Sequence, residues 1–220
     1  MRNVFRTKYD FKNAATKEKI TAALIKLLEK KDLNRITVAQ ICDSCGIHRS
    51  TFYRHYSDVY AVLEEMENNT FEEYKAVLVP FSELRRESLD EAKIKRIVMR
   101  YLHICYFNRK AILTLGKLGQ YSGFYNKCVD LLHDLMIEML SDLEWTDEKY
   151  LEFTSRYMAA NTFYLLFTWL EQNEIDYQDF YKMYTEIFYA DIDISDRLSK
   201  APKEGWTFPV YDPKYIKDQS

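Results

Sequence analysis

Residues 36–58 read ITVAQICDSCGIHRSTFYRHYSD. The stretch opens on Thr37, whose hydroxyl suits the N-cap of a short helix that turns Val38, Ile41 and Cys42 inward. Gly46 ends that helix. It is the only glycine in the first 115 residues. A residue that closes a helix at this position needs a positive φ, which glycine adopts without penalty. A second short helix follows over His48–His55, anchored inward by Phe52. Two short helices on a tight glycine turn make a helix-turn-helix over residues 37–56.

Helical patterns continue on both sides. Upstream, Ile20, Ala23, Leu24, Leu27 and Leu28 fall on one stripe, with Thr16 as the expected N-cap and Lys30–Asn34 as the stop. Residues 1–15 show no clear period and are expected to form an arm. Downstream, Asp58 suits the cap of a helix running to about Val79, before Pro80. Further helices are expected over 89–107, 108–116, 122–142, 147–172 and 177–190. Thr146-Asp147-Glu148 opens the fourth of these with a capping residue and early acids. No proline lies between residues 81 and 201, and the chain holds only five glycines. A sandwich or a dinucleotide fold needs more turn punctuation than that. The fold class is therefore all-α. A helix-turn-helix reader of three helices spans 16–60, a helical body spans 61–198, and an extended tail, pinned by Trp206, Phe208 and Tyr211, spans 199–220.

Composition agrees. The chain has 220 residues, 47% hydrophobic and 30% charged, ordinary for a globular protein. The longest apolar run, Met158–Leu170, is too short to span a bilayer and holds Asn161, Thr162 and Thr168. The N-terminus lacks a secretory signal, so a cytoplasmic protein with reduced cysteines and no membrane partner is expected. The net charge of −3 is unevenly spread. Residues 1–60 hold 12 Lys and Arg against 6 Asp and Glu, a net of +6, and the remainder carries −9. A basic first third on an acidic body marks where a polyanion would sit.

The 36–63 block resembles the N-terminal DNA-binding domain of the TetR/AcrR family of transcriptional regulators. The matching residues are Thr37-Val38, Ile41, Cys42 and Cys45 at two small positions, Gly46-Ile47, and Thr51-Phe52-Tyr53 with His55-Tyr56. Val59 departs from a Lys common in the family, and Ser50 from a Gly. The resemblance implies a homodimer built through the last two helices, a palindromic double-stranded operator, and repression relieved by a small apolar or aromatic effector. The residues expected at DNA are Thr37, His48, Arg49, Ser50, Thr51, Tyr53, Arg54, His55 and Tyr56. Arg49 is placed to reach a guanine edge, and Tyr53, His55 and Tyr56 to hold phosphate or sugar. Lys17, Lys19 and the arm residues Arg2, Arg6, Lys8 and Lys12 add salt-sensitive attraction.

The aromatic residues of the body are core by default. Tyr101, Tyr106, Tyr121, Phe124, Tyr125, Phe163 and Phe167 are the candidates to line an effector pocket. Cys42-x-x-Cys45 has no second pair to complete a zinc site and no βαβ context for redox work, so both thiols read as small buried hydrophobes. Gly116, Gly119 and Gly123 fit no phosphate-loop spacing. His103 and His133 stand singly on helices, and no catalytic set, metal site or cofactor site assembles. Two rival readings stay open. One is a DNA-binding regulator or coactivator that answers to a protein partner. The other is a helical enzyme with an incidental helix-turn-helix.

Overall fold

The computed structural model describes residues 8–78, 80, 91–145, 147–172 and 174–200. Among them lie nine α-helices and no strand: α1 Lys8–Leu28, α2 Val38–Cys45, α3 Arg49–Tyr53, α4 Val59–Leu78, α5 Glu91–Phe107, α6 Arg109–Lys117, α7 Phe124–Leu140, α8 Glu148–Gln172 and α9 Tyr177–Ser199. The N-terminal three pack with the start of α4 around Ile20, Leu24, Leu33, Ile41, Phe52 and Val62.

Helix α1 begins at Lys8, well before Thr16. No glycine or proline interrupts residues 8–15, so nothing stops the helix from extending upstream. Thr16 is therefore not a cap. Its hydroxyl bonds back to the Lys12 carbonyl at 2.8 Å, as a threonine inside a helix can. Arg2 and Arg6 lie outside the described residues.

Helix α4 joins the two halves. At its head, the Asp58 carboxylate accepts from the Ala61 N–H at 2.8 Å. Val59, Val62, Leu63 and Met66 close the core of the reader, while Thr70, Tyr74, Val77 and Leu78 pack in the body. At 20 residues it is about 30 Å long, enough to cross both cores.

In the body, α7 lies along α8, and α4, α5 and α9 complete the packing. Tyr74, Tyr101, Phe124 and Phe163 are fully buried and meet edge to face. Trp169 and Phe180 stack at 4.2 Å, and the Trp169 indole donates to the Ile175 carbonyl at 2.8 Å. The Asp176 side chain caps α9 by accepting from the N–H groups of Gln178 and Asp179. Those two bonds hold its carboxyl below the usual carboxylate range. Asp147 serves α8 in the same way through the Lys149 N–H at 2.9 Å. Thr146 and the tail from residue 201 lie outside the described residues.

Helix α9 runs on to Ser199, nine residues past the expected end at 190. Asp191, Ser195 and Ser199 are buried along it at four-residue spacing. A polar inward stripe of this kind conceals the helical period from a hydropathy reading.

Candidate nucleic-acid interface

The turn between α2 and α3 is set by three local devices. Thr37 and Gln40 form a reciprocal capping box: the Gln40 N–H donates to the Thr37 hydroxyl, and the Thr37 N–H to the Gln40 side-chain oxygen. That hydroxyl accepts within the cap and keeps its own proton for a donor role outside the helix. Gly46 takes φ 67° and ψ 38°, and the N–H groups of Gly46 and Ile47 both return to the Cys42 carbonyl. His48 then caps α3, its Nδ1 accepting from the Ser50 N–H at 3.3 Å and lying 2.8 Å from the Ser50 hydroxyl. With Nδ1 accepting from the backbone, the proton of the neutral ring resides on Nε2.

These devices lock α3 with one apolar residue inward and a polar face outward. Phe52 is fully buried. His48, Arg49, Ser50, Tyr53 and Arg54 are exposed, Tyr53 at 57%. Thr51 and His55 are half-buried at the edge of this face. Burial depresses the His55 pKa, and the charges of Arg54 and Lys17 depress it further, so the ring is neutral near pH 7. Thr37 is exposed at the head of α2.

Tyr56 sits elsewhere. It is buried, its hydroxyl donates to the Glu65 carboxylate at 2.9 Å, and the Lys17 ammonium bonds the same carboxylate at 2.6 Å. Lys17 also lies over the Tyr56 ring at 5.4 Å. This clamp ties α1, the end of the reading segment and α4 together. Glu65 carries no sequence signal for the role, since its partners are 9 and 48 residues away. Val59, at the position where the resembled family has Lys, is 6% exposed and packs into the core of the reader.

The paired thiols of α2 behave as packing groups. Burial pushes the pKa of both Cys42 and Cys45 up, and the Cys45 thiol leans on the Cys42 carbonyl. Among the described residues no group of three or more His, Cys, Asp or Glu gathers to hold a metal. No described helix is long and apolar enough to cross a membrane.

The seven body aromatics fall into three places. Tyr101, Phe124 and Phe163 are core, with the Tyr125 and Phe167 rings against Phe163 at 5.0 and 6.4 Å. Tyr106 lies apart, against Trp169 and Tyr177. Tyr121 lines a cleft between α1 and α6.

Residues 20–66 match the family model described as bacterial regulatory proteins, tetR family. No curated protein sequence matches the chain. Among solved structures, NalD of Pseudomonas aeruginosa, titled the secondary repressor of the MexAB-OprM multidrug efflux pump, is 16% identical. The match covers 82% of this chain and 96% of that one at a TM-score of 0.57. A TetR-family transcriptional regulator titled as coming from Mesorhizobium loti is 13% identical, covering 86% and 98%, at a TM-score of 0.57. The dihydroxyacetone kinase operon activator DhaS is 17% identical, covering 84% and 98%, at a TM-score of 0.51. At these identities the likeness is one of fold. Residues 20–66 thus carry the tetR-family regulatory module, and the chain as a whole shares its fold with these solved regulators.

Proposed function

We propose that the chain is a sequence-specific transcriptional regulator that binds double-stranded DNA as a homodimer, and that it represses by occupying a palindromic operator until a small-molecule effector releases it. The observation that carries the reading is the polar face of α3. Arg49, Ser50, Tyr53 and Arg54 stand outward on a helix pinned from behind by Phe52 and held at a set angle by Gly46. A helix of this kind fits the major groove, where base edges differ in donor and acceptor pattern. Arg49 takes the guanine-reading role. Tyr53, Arg54, His48 and Thr37 hold backbone phosphates and fix the register.

The dimer is supported by a stripe on α8. Phe153, Tyr157 and Tyr164 are 73%, 56% and 63% exposed, with Ile194 of α9 also exposed. Exposed aromatics of α8 beside Ile194 of α9 suit an apolar face that a second copy would cover. Two copies joined there would read half-sites about 34–36 Å apart.

Selection of bound DNA from a random pool, at stated salt, tests the reading. An enriched inverted repeat supports it. Absence of enrichment from a folded dimer refutes it. Arg49→Ala and Tyr53→Ala should each weaken binding to the selected site without changing the melting temperature.

A second reading, a regulator that activates or answers to a protein partner, draws on the tight filling of the body. The cavity beside Tyr101, Leu132 and Tyr184 measures only about 10 Å³. DhaS, which shares the fold, is titled an activator. Transcription from the selected site, measured with and without the protein, separates the two.

A further inference from the structure

A cleft opens between the two halves, where α1 faces α6. It measures about 890 Å³, within the ordinary range of small-molecule sites. One wall is the end of α1 and the turn after it, with Ile25, Leu28 and Lys31. The other is α6 and the turn after it, with Lys110, Leu113 and Leu118.

Each wall is braced to its own half. Gly116 of α6 lies so close to α8 that a Cβ there would come within 2.3 Å of the Phe167 ring. The Arg109 guanidinium donates to the carbonyls of Leu170 and Glu171, and Lys117 pairs with Glu171 at 2.7 Å. The wall formed by α1 is fastened to α4 by the bond from Lys17 to Glu65. The floor of the cleft is the turn Gly119–Tyr121. The next residue, Ser122, donates to the buried Glu67 of α4 at 2.8 Å, and Lys127 pairs with the same carboxylate. A molecule seated here touches the reader, the body and a turn bonded to the helix that joins them.

The chemistry of the lining selects the occupant. Ile25, Leu28, Leu113, Leu118 and Tyr121 supply apolar surface on both sides. Among the charged groups, Lys117 is engaged by Glu171, and Asp32 lies 3.9 Å from Arg35. That leaves two ammonium groups, Lys31 on the reader and Lys110 on the body, against one carboxylate, Glu29. None of these three has an ion-pair partner among the described residues. We propose that this cleft is an effector site for an amphipathic anion, an apolar molecule carrying one carboxylate or sulfonate. Its charge is held between Lys31 and Lys110, and its body lies against Leu28, Leu113 and Tyr121. Such a ligand changes DNA affinity only by preferring one relative placement of the two halves. That last step rests on the proposed regulation; the binding itself does not.

The test uses 8-anilinonaphthalene-1-sulfonate, an aromatic anion that fluoresces on burial, titrated into the full chain without DNA. Its neutral counterpart N-phenyl-1-naphthylamine is titrated in parallel. Saturable binding near one per chain is expected, tighter for the anion. Lys31→Glu with Lys110→Glu should weaken it about tenfold, since two attractive contacts become repulsive. Leu113→Trp, which narrows the cleft, should weaken it too. Circular dichroism identifies a variant that does not fold; the other then decides. Equal binding by both probes, no saturable binding, or affinity unchanged in the variants overturns the site. With operator DNA present, the anion should shift the half-saturation of the native chain but not of Leu113→Trp. A native chain that binds both anion and DNA without such a shift overturns the effector role alone. A chain that binds the anion but no DNA refutes the proposed regulation and leaves the site standing.

Discussion

Gly46 offers a clean test of why the helix-turn-helix has its shape. Its φ of 67° lies in the left-handed region, and a Cβ built there meets no atom within 4 Å. Steric clash with neighbours therefore contributes nothing, and the cost of Gly46→Ala is the backbone's alone. An L-residue in this conformation loses about 1–2 kcal/mol. Alanine also stiffens the unfolded chain, which returns about 0.4–1 kcal/mol. The net loss should be about 1 kcal/mol. For a chain of this size that lowers the melting temperature by about 2–4 °C. Asparagine, which tolerates the left-handed region better, should lose about half as much. Thermal melting followed by circular dichroism gives the global figure. Amide exchange over α2 and α3 shows whether the loss is local, since a short motif opens below the global free energy. If Ala and Asn variants both melt at or above the native temperature, with α2–α3 exchange unchanged, the glycine is not held in place by its φ and the reasoning fails.

Four further outcomes follow from the same structure. Phe52→Ala removes the one fully buried side chain of α3 and should cost about 3–5 kcal/mol, read as a lowered denaturant midpoint. Arg49→Ala should weaken specific DNA binding by about 1–3 kcal/mol while binding to random DNA at low salt changes far less, measured by fluorescence anisotropy. Phe153→Asp places a charge on the exposed α8 stripe and should shift the chain from dimer to monomer in analytical ultracentrifugation; an unchanged dimer would move the interface elsewhere. Asp191 concerns pH. Burial raises its carboxyl pKa above the ordinary 3.8, offset in part by the Asn161 side chain. The folded state then disfavours the ionised form, a penalty present above that ordinary value and relieved as pH falls through the raised one. Asp191→Asn should accordingly raise the melting temperature at pH 7, with the advantage shrinking toward pH 4. A constant difference across that range would contradict the assignment.

What the residues reveal in isolation depends on how local the physics is. Thr37, Gly46 and Asp58 act within one turn of themselves, and a reading of the sequence places all three at the helix ends where the structure has them. The start of α1 is less legible. Residues 8–15 carry no breaker and no apolar stripe, so neither a helix nor an arm declares itself. The inward turn of Tyr56 is invisible for another reason. A tyrosine beside an exposed reading helix looks like a phosphate contact until Glu65 and Lys17, distant in sequence, appear on its hydroxyl and ring. The far end of α9 is lost because its inward residues are Asp191, Ser195 and Ser199, where hydropathy expects Leu or Ile. The aromatic content of the body is legible as bulk but not as position. Only packing separates Tyr101 and Phe163, deep in the core, from Tyr157 and Tyr164 on the outside.

The four cysteines turn this division into a clock. Cys42 and Cys45 lie in the reader, and Cys105 and Cys128 in the core of the body, where burial pushes both thiols far up. A thiol that must first be uncovered and then ionised reacts at the pace of the opening that uncovers it. Alkylation of the native chain therefore runs on two timescales. Half-buried Cys45 and local unravelling of α2 around Cys42 set the faster one, and loss of the body sets the slower one, at Cys105 and Cys128. Mass spectrometry of the labelled peptides would follow how one half lets go before the other, with no probe added to the protein.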